Sequence, residues 1–222
     1  MSKFLYEMHM HSAGISACAT ATVQDGCKEY KQAGYSGVVL TNHINPWSHS
    51  CVTEDGLFIP QLYLEEFYRA KEEETSDFKV LLGAELRLNE GWVEFLLYGL
   101  TEDILLHGIP ENIMFFSQPM IRDLTRELDI LLFQSHPFRN GIGIVPPEWL
   151  DGIEIHNGCV RHDSRNDIAQ LWAKKFGLLG VSGSDYHQQG DGGTGGVWFD
   201  RRIGDERELV DALRAGTHQC KI

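Results

Sequence analysis

Short apolar runs, bounded by glycine, proline or polar residues, alternate with amphipathic stretches along nearly the whole chain. That alternation limits the fold more than any other feature of the sequence. The runs predict strands buried on both faces at 4–10, 37–41, 79–88, 92–98, 130–134, 152–156, 178–182 and 197–199. Helical patterns fall between them at 23–33, 62–74, 119–128, 165–176 and 206–215. Gly34, Gly177 and Gly216 follow three of these, where a left-handed cap belongs. Asp205, and either Asp163 or Ser164, are the matching N-cap candidates. Strand–helix alternation of this kind builds βαβ units and a parallel sheet, open or closed into a barrel. The turn-like Asn89-Glu90-Gly91 suggests one antiparallel hairpin within it. The 222 residues show no repeat, low-complexity tract or linker, so one domain over 1–222 is expected.

Charge and cysteine usage narrow the function. A net charge of −13 repels a phosphate backbone, so long nucleic acid is not an expected partner. No apolar run approaches the roughly 20 residues that a membrane helix needs. The start, MSKFLYEMHMHS, lacks the apolar core of a signal peptide. Five cysteines form no C-x-x-C pair, which points to free thiols and a cytoplasmic setting.

The ends of the expected strands carry the chemistry. His9 and His11 close the first, Asn42-His43 the second, and Glu85 lies on the third. Ser135-His136-Pro137 ends a central strand, Glu154 and His156 lie on the next, and Ser184-Asp185-Tyr186-His187 follows a late one. In parallel α/β folds the carboxyl ends of strands form the ligand mouth. Residues i and i+2 of a strand share a side, so His9 and His11 can grip one ion, as can Asp185 and His187. A single strand-end histidine is most simply a satisfied structural residue. Many imidazoles and carboxylates crowded at one mouth would be costly without a cation. Nitrogen and oxygen donors without thiolate suit zinc, manganese or iron.

These residues, with Thr41-Asn42-His43, Gly83-Ala84-Glu85, Ser135-His136-Pro137-Phe138-Arg139 and Gly183-Ser184-Asp185-Tyr186-His187, resemble the ordered motifs of the polymerase and histidinol phosphatase (PHP) domain family. Asp151-Gly-Ile-Glu-Ile-His-Asn-Gly158 fits the same pattern. The resemblance implies a distorted seven-stranded (β/α) barrel with two or three divalent transition-metal ions at its mouth. It places His9, His11, Glu85 and Asp185 on a first ion, Glu85 and His136 on a second, and His43 and His187 on a third. Where the family often has a histidine on the strand after the bridging glutamate, this chain has Glu94. Ala13 to Ala19 lacks the family's further His or Asp, and Cys18 stands nearest that position.

The function so implied is a metal-dependent phosphoesterase that activates water against a small phosphorylated metabolite. His43 or His187 would assist the leaving group, and Arg139 would grip the phosphate through its two-donor fork. Arg87, two residues beyond Glu85, should face the same mouth; Arg161 and His162 are weaker candidates. Gly190 to Gly196 reads as a flexible loop and Asn45–Pro60 as the longest connection, of the kind that often forms a lid or substrate segment. The rival readings are an amidohydrolase-like hydrolase of a non-phosphate substrate, and a metal-dependent binding module without turnover.

Overall fold

The computed structural model describes residues 3–48, 50–89 and 92–222. Its strands are β1 (Phe4–Met10), β2 (Gly37–Leu40), β3 (His43–Ile44), β4 (Lys79–Arg87), β5 (Glu94–Tyr98), β6 (Leu131–Gln134), β7 (Gly152–Asn157), β8 (Leu179–Gly183), β9 (Val197–Phe199) and β10 (Gln219–Cys220). The helices are α1 (Val23–Gln32), α2 (Pro60–Lys71), α3 (Gln118–Glu127), α4 (Asn166–Phe176) and α5 (Glu206–Arg214). All ten strands belong to one sheet, ordered β10-β9-β1-β2-β4-β5-β6-β7-β8, with β3 paired to β4. β1, β2 and β4 run parallel, as do β6, β7 and β8, while β5 lies antiparallel between β4 and β6.

The sheet curls until its two ends nearly meet. Past β8, Tyr186 N donates to His9 O and His11 N to Tyr186 O, so the mouth is stitched beside β1. Gly183 permits this approach: a Cβ there would run into the Cβ of His9. The result is the expected barrel-like α/β architecture. Among the described residues the strand count is ten rather than seven because β3 and β10 are two-residue strands and β9 pairs antiparallel with β1.

Alternation along the strands explains the two apolar layers. Val38, Leu40, Val80 and Leu82 pack with residues of α1 to α4, including Tyr30, Tyr63, Phe67 and Ile121. Val39 and Leu81 face the other way, into a cluster with Leu96, Phe133 and the α5 residues Leu209, Val210 and Leu213. α5 plugs the end opposite the mouth, where Arg207 bonds Asp129 just ahead of β6.

Of the caps expected from the sequence, all form but the one at the start of α4. Thr22 forms a capping box with Asp25, and Asp205 accepts from Glu208 N. Gly34, Gly177 and Gly216 take positive φ as expected. Neither Asp163 nor Ser164 caps α4. Arg165 holds that place in the left-handed region at φ 48°, and Asp163 accepts from Arg165 N instead. The β4–β5 hairpin forms, though Glu90 and Gly91 of its turn lie outside the described residues. The glycine-rich segment is tied down rather than loose. Glu29 accepts from Gly190 N and Gly192 N, and Asp191 accepts from His187 N, Gln188 N and the Arg161 fork.

Candidate metal centre

Six separate pieces of backbone deliver the donors. A register irregularity in β1 lies between Glu7 and Met10; His9 falls within it and His11 just after, and both are fully buried. β3 sets His43 directly opposite Glu85 on β4. Because β5 runs backwards, its first residue, Glu94, is the one that reaches the mouth, opposite Arg87. His136 and Asp185 follow β6 and β8 with φ of 28° and 53°. Backbone of that kind is costly for a residue with a side chain and is characteristic of functional sites.

Every residue expected as a ligand converges on one point. Glu85 lies at the centre, with Oε1 3.4 Å from His9 Nε2 and 3.2 Å from His136 Nε2. Its Oε2 is 3.3 Å from His11 Nε2 and 3.1 Å from His43 Nδ1. Asp185 Oδ1 sits 3.4 Å from both His9 Nε2 and His11 Nε2, and 3.5 Å from His187 Nδ1. Glu94 Oε2 is 3.5 Å from His136 Nε2. Four overlapping triads have donor atoms close enough to share an ion: His9-His11-Glu85, His9-His136-Asp185, His43-Glu85-Glu94 and His11-His43-His187.

The electrostatics follow from burial and this crowding. Burial opposes ionising Glu85 and Asp185, but the surrounding imidazoles, with Arg139 beside Asp185, hold both well below the usual carboxylate range. Burial and then the Glu85 charge push Glu94 the other way, upward. Burial opposes charging His9 too, yet Glu154, Asp185 and Glu85 raise it. Burial, with the neighbouring His11, lowers His43 to about 3 and His187 to about 4. The Cys18 thiol is 3.1 Å from His187 Nε2, but burial and the Glu85 and Asp185 charges push it up to about 12.

A second ring of side chains fixes the first. Glu154 Oε1 pairs with His9 Nδ1 at 2.9 Å, while its Oε2 accepts from His136 N and Asn157 Nδ2. Buried Glu7 accepts from the backbone of Met8, His9 and Ser184 and from the Ser184 hydroxyl. Ser16 links His11 Nδ1, His43 N and Asn42 Oδ1. His156, by contrast, turns outward to Thr194 O and Asn166. Glu7, Ser16 and the positioning part played by Glu154 escaped the sequence reading. The legible signal was a second polar residue, the carboxylate Glu7, two positions before His9 in a strand that is otherwise apolar.

A cavity of about 780 Å³ opens over the cluster, and Arg87, Arg139, Arg161 and His162 line it. Arg139 Nη2 bonds Asp185 Oδ2 at 2.6 Å and Asn157 Oδ1 at 3.3 Å, while its buried Nε has no hydrogen-bond partner. Arg161 is engaged by Asp191 through both amino groups.

The donors fit metal ions. His9 Nε2, His11 Nε2, His43 Nδ1 and Glu85 Oε1 are buried without a hydrogen-bond partner although they face one another. Orphaned polar atoms are expensive, and a shared cation satisfies them together.

Comparison with known proteins bears on the fold. A family model described as PHP-associated matches residues 163–218. A two-domain Bacteroides vulgatus protein containing a predicted PHP-like metal-dependent phosphoesterase superposes on all of the chain, with a TM-score of 0.70 at 16% identity. This is a PHP-type fold. The PHP-type barrel spans 65% of that Bacteroides chain. PsfC from Pseudomonas syringae superposes on all of it as well, over 92% of its own length, with a TM-score of 0.75 at 12% identity. An amidohydrolase from Chromobacterium violaceum, with bound sulfate and no metal, covers 94% of the PHP-type barrel and is itself covered over 96%, with a TM-score of 0.59 at 14% identity. No curated protein sequence matches the chain. Among the described residues no helix is long and apolar enough to cross a membrane.

Proposed function

We propose that this PHP-type barrel is a metal-dependent phosphoesterase acting on a small phosphorylated metabolite. The observation that carries the reading is the set of buried, unpaired donors on His9, His11, His43 and Glu85, gathered beneath an arginine-lined cavity. Divalent ions held there would supply Lewis-acid charge and lower the pKa of water.

The chain's own residues do the rest. His9, His11, Glu85 and Asp185 would hold a first ion. Glu85, with His136 and Glu94, would hold a second, and His43 and His187 a third. Burial keeps His43 and His187 neutral near pH 7, the state a ligand needs, so holding an ion suits them better than storing a proton for the leaving group. Arg139 anchors Asp185, and its guanidinium, which lines the cavity, would also grip a phosphate oxygen.

The name of the Chromobacterium protein favours a second reading, hydrolysis of an amide. Among the described cavity residues no lysine is present to bridge two ions as a carbamate. The test is a screen of phosphate esters and amides with manganese, zinc or iron added. Metal-dependent phosphate release supports the first reading. Amide cleavage alone supports the second, and metal binding without turnover supports a binding module.

A further inference from the structure

Glu94 is a candidate donor with a support of its own. Antiparallel register sets it directly opposite Arg87, where β4 ends and β5 begins. Arg87 Nη1 lies 3.3 Å from Glu94 Oε1, and the other oxygen, Oε2, lies 3.5 Å from His136 Nε2. The carboxylate is thus shared between a guanidinium on one side and the donor cluster on the other. Arg87 is itself enclosed. Its guanidinium carbon is 4.5 Å from the ring centroid of Trp47 and 4.5 Å from that of Trp92. Only 15% of its side chain is exposed, although Trp47 is 51% and Trp92 63% exposed. Each indole stands on anchored backbone. Trp47 N donates to Asn45 Oδ1, which also accepts from the Ser48 hydroxyl, and Trp92 O accepts from Gly143 N.

We infer that Arg87, held between Trp47 and Trp92, is a positioning residue that fixes Glu94 for the second ion. The inference rests on the reading of the cluster as a metal centre and holds whatever the substrate. A glutamate side chain is flexible, and a donor free to swing must lose that freedom each time an ion binds. A guanidinium bonded to one oxygen leaves the other aimed at the cluster before any ion arrives. Ligating carboxylates depend on such outer partners. The guanidinium also offsets charge. Burial and the nearby Glu85 oppose ionising Glu94, whereas His136 and Arg87 favour it. A long arginine would itself need ordering, and the indoles supply that by cation–π contact with its flat head. A lysine ammonium has no plane to stack and no fork to share. The slot between the two open tryptophans therefore has an occupant already, and it belongs to the chain.

Manganese titrated calorimetrically into chelator-stripped protein tests this without any turnover. Glu94→Ala identifies the binding step that belongs to Glu94's ion, as the step it weakens most. Arg87→Met keeps the bulk and removes the charge; it should weaken that same step by about tenfold and change the others little. Arg87→Lys should restore part of the loss. Where Arg87→Met lowers the melting temperature, the double variant Trp47→Ala, Trp92→Ala carries the same test, because it frees Arg87 by trimming exposed side chains only. It should weaken the step several-fold. The deciding background is Glu94→His, which keeps a donor that needs no cation beside it. There Arg87→Met should leave the step unchanged, whereas an arginine that only holds the rim together would lower it again. Wild-type affinity in both the Arg87→Met and the double tryptophan variants would overturn the clamp. So would an equal loss in both backgrounds, or a wild-type barrel that takes up no ion at Glu94. Clamp-dependent uptake with no ester hydrolysed would uphold the inference and defeat the phosphoesterase reading alone.

Discussion

At the scale of single residues, the side chains around the donors decide how well the donors work. Glu154 serves His9 with one oxygen and the His136 backbone and Asn157 with the other. Glu154→Gln keeps the shape but must turn an NH₂ group toward one donor that needs an acceptor. Loss of such an outer partner typically costs 10–100-fold in metal affinity or activity. The expected outcome is a drop of about that size in metal affinity, read by competition with a chromophoric chelator, in a protein that still folds; unchanged affinity would remove Glu154 from the support of the site. Arg139 tests a different contact. Lysine keeps the charge but cannot span Asp185 and a phosphate oxygen together. Arg139→Lys should lower kcat/KM on the active ester by about tenfold or more, with metal content unchanged. Wild-type kinetics would make Arg139 solely a prop for Asp185.

At the scale of elements, local pattern explains most of what formed and direction explains what was missed. Phe4–Met10 and Val197–Phe199 form strands with the expected bounds, because apolar runs flanked by breakers have few alternatives. β3 and β10, at two residues each, are too short for any periodicity to show; they exist because neighbouring strands supply the pairing. Histidines and carboxylates at the ends of parallel strands were legible from the rule that such ends share a mouth. Glu94 was reachable only by resemblance, since it opens a strand whose reversed direction depends on the hairpin. Asp129 gives an element-scale prediction about pH. Hydrogen bonds from Arg214 and Arg207 on α5 lower its pKa from 3.8 to about 2. A carboxylate depressed in the folded state adds stability that is present above about pH 4 and is lost as pH falls toward 2. The pair is exposed, so the contribution should be under about 1 kcal/mol. Asp129→Asn suits the residue's φ of 55° while removing the charge. Urea unfolding should show the variant slightly weaker at pH 6, with the difference closing as pH approaches 2; a gap that widens on acidification would contradict the assignment.

At the scale of the whole molecule, the centre also ties the fold together. Its donors come from β1, β3, β4, β5 and the segments after β6 and β8, so an ion held there would join strands that the chain order keeps far apart. An ion that binds only the folded barrel adds about 2.7 kcal/mol when present at a hundred times its dissociation constant. For a chain of this length that corresponds to roughly 5–10 °C in Tm. Calorimetry should show a rise of that order on adding manganese or zinc, its reversal by a chelator, and little response in Glu85→Gln. An equal response in that variant would place the stabilising ion elsewhere.

The stitch between β1 and the turn after β8 also sets an order in time. His9 and His11 are made long before Asp185, which completes their donor set, and Tyr186, which clasps them. Ribosomes add about 5–20 residues per second, so on the order of ten seconds or more separate the two events. Through that interval the early histidine pair has neither its carboxylate partners nor its enclosure. An ion that needs the whole donor set would therefore be taken up only once the segment after β8 is in place, from whatever supply the closed barrel then meets.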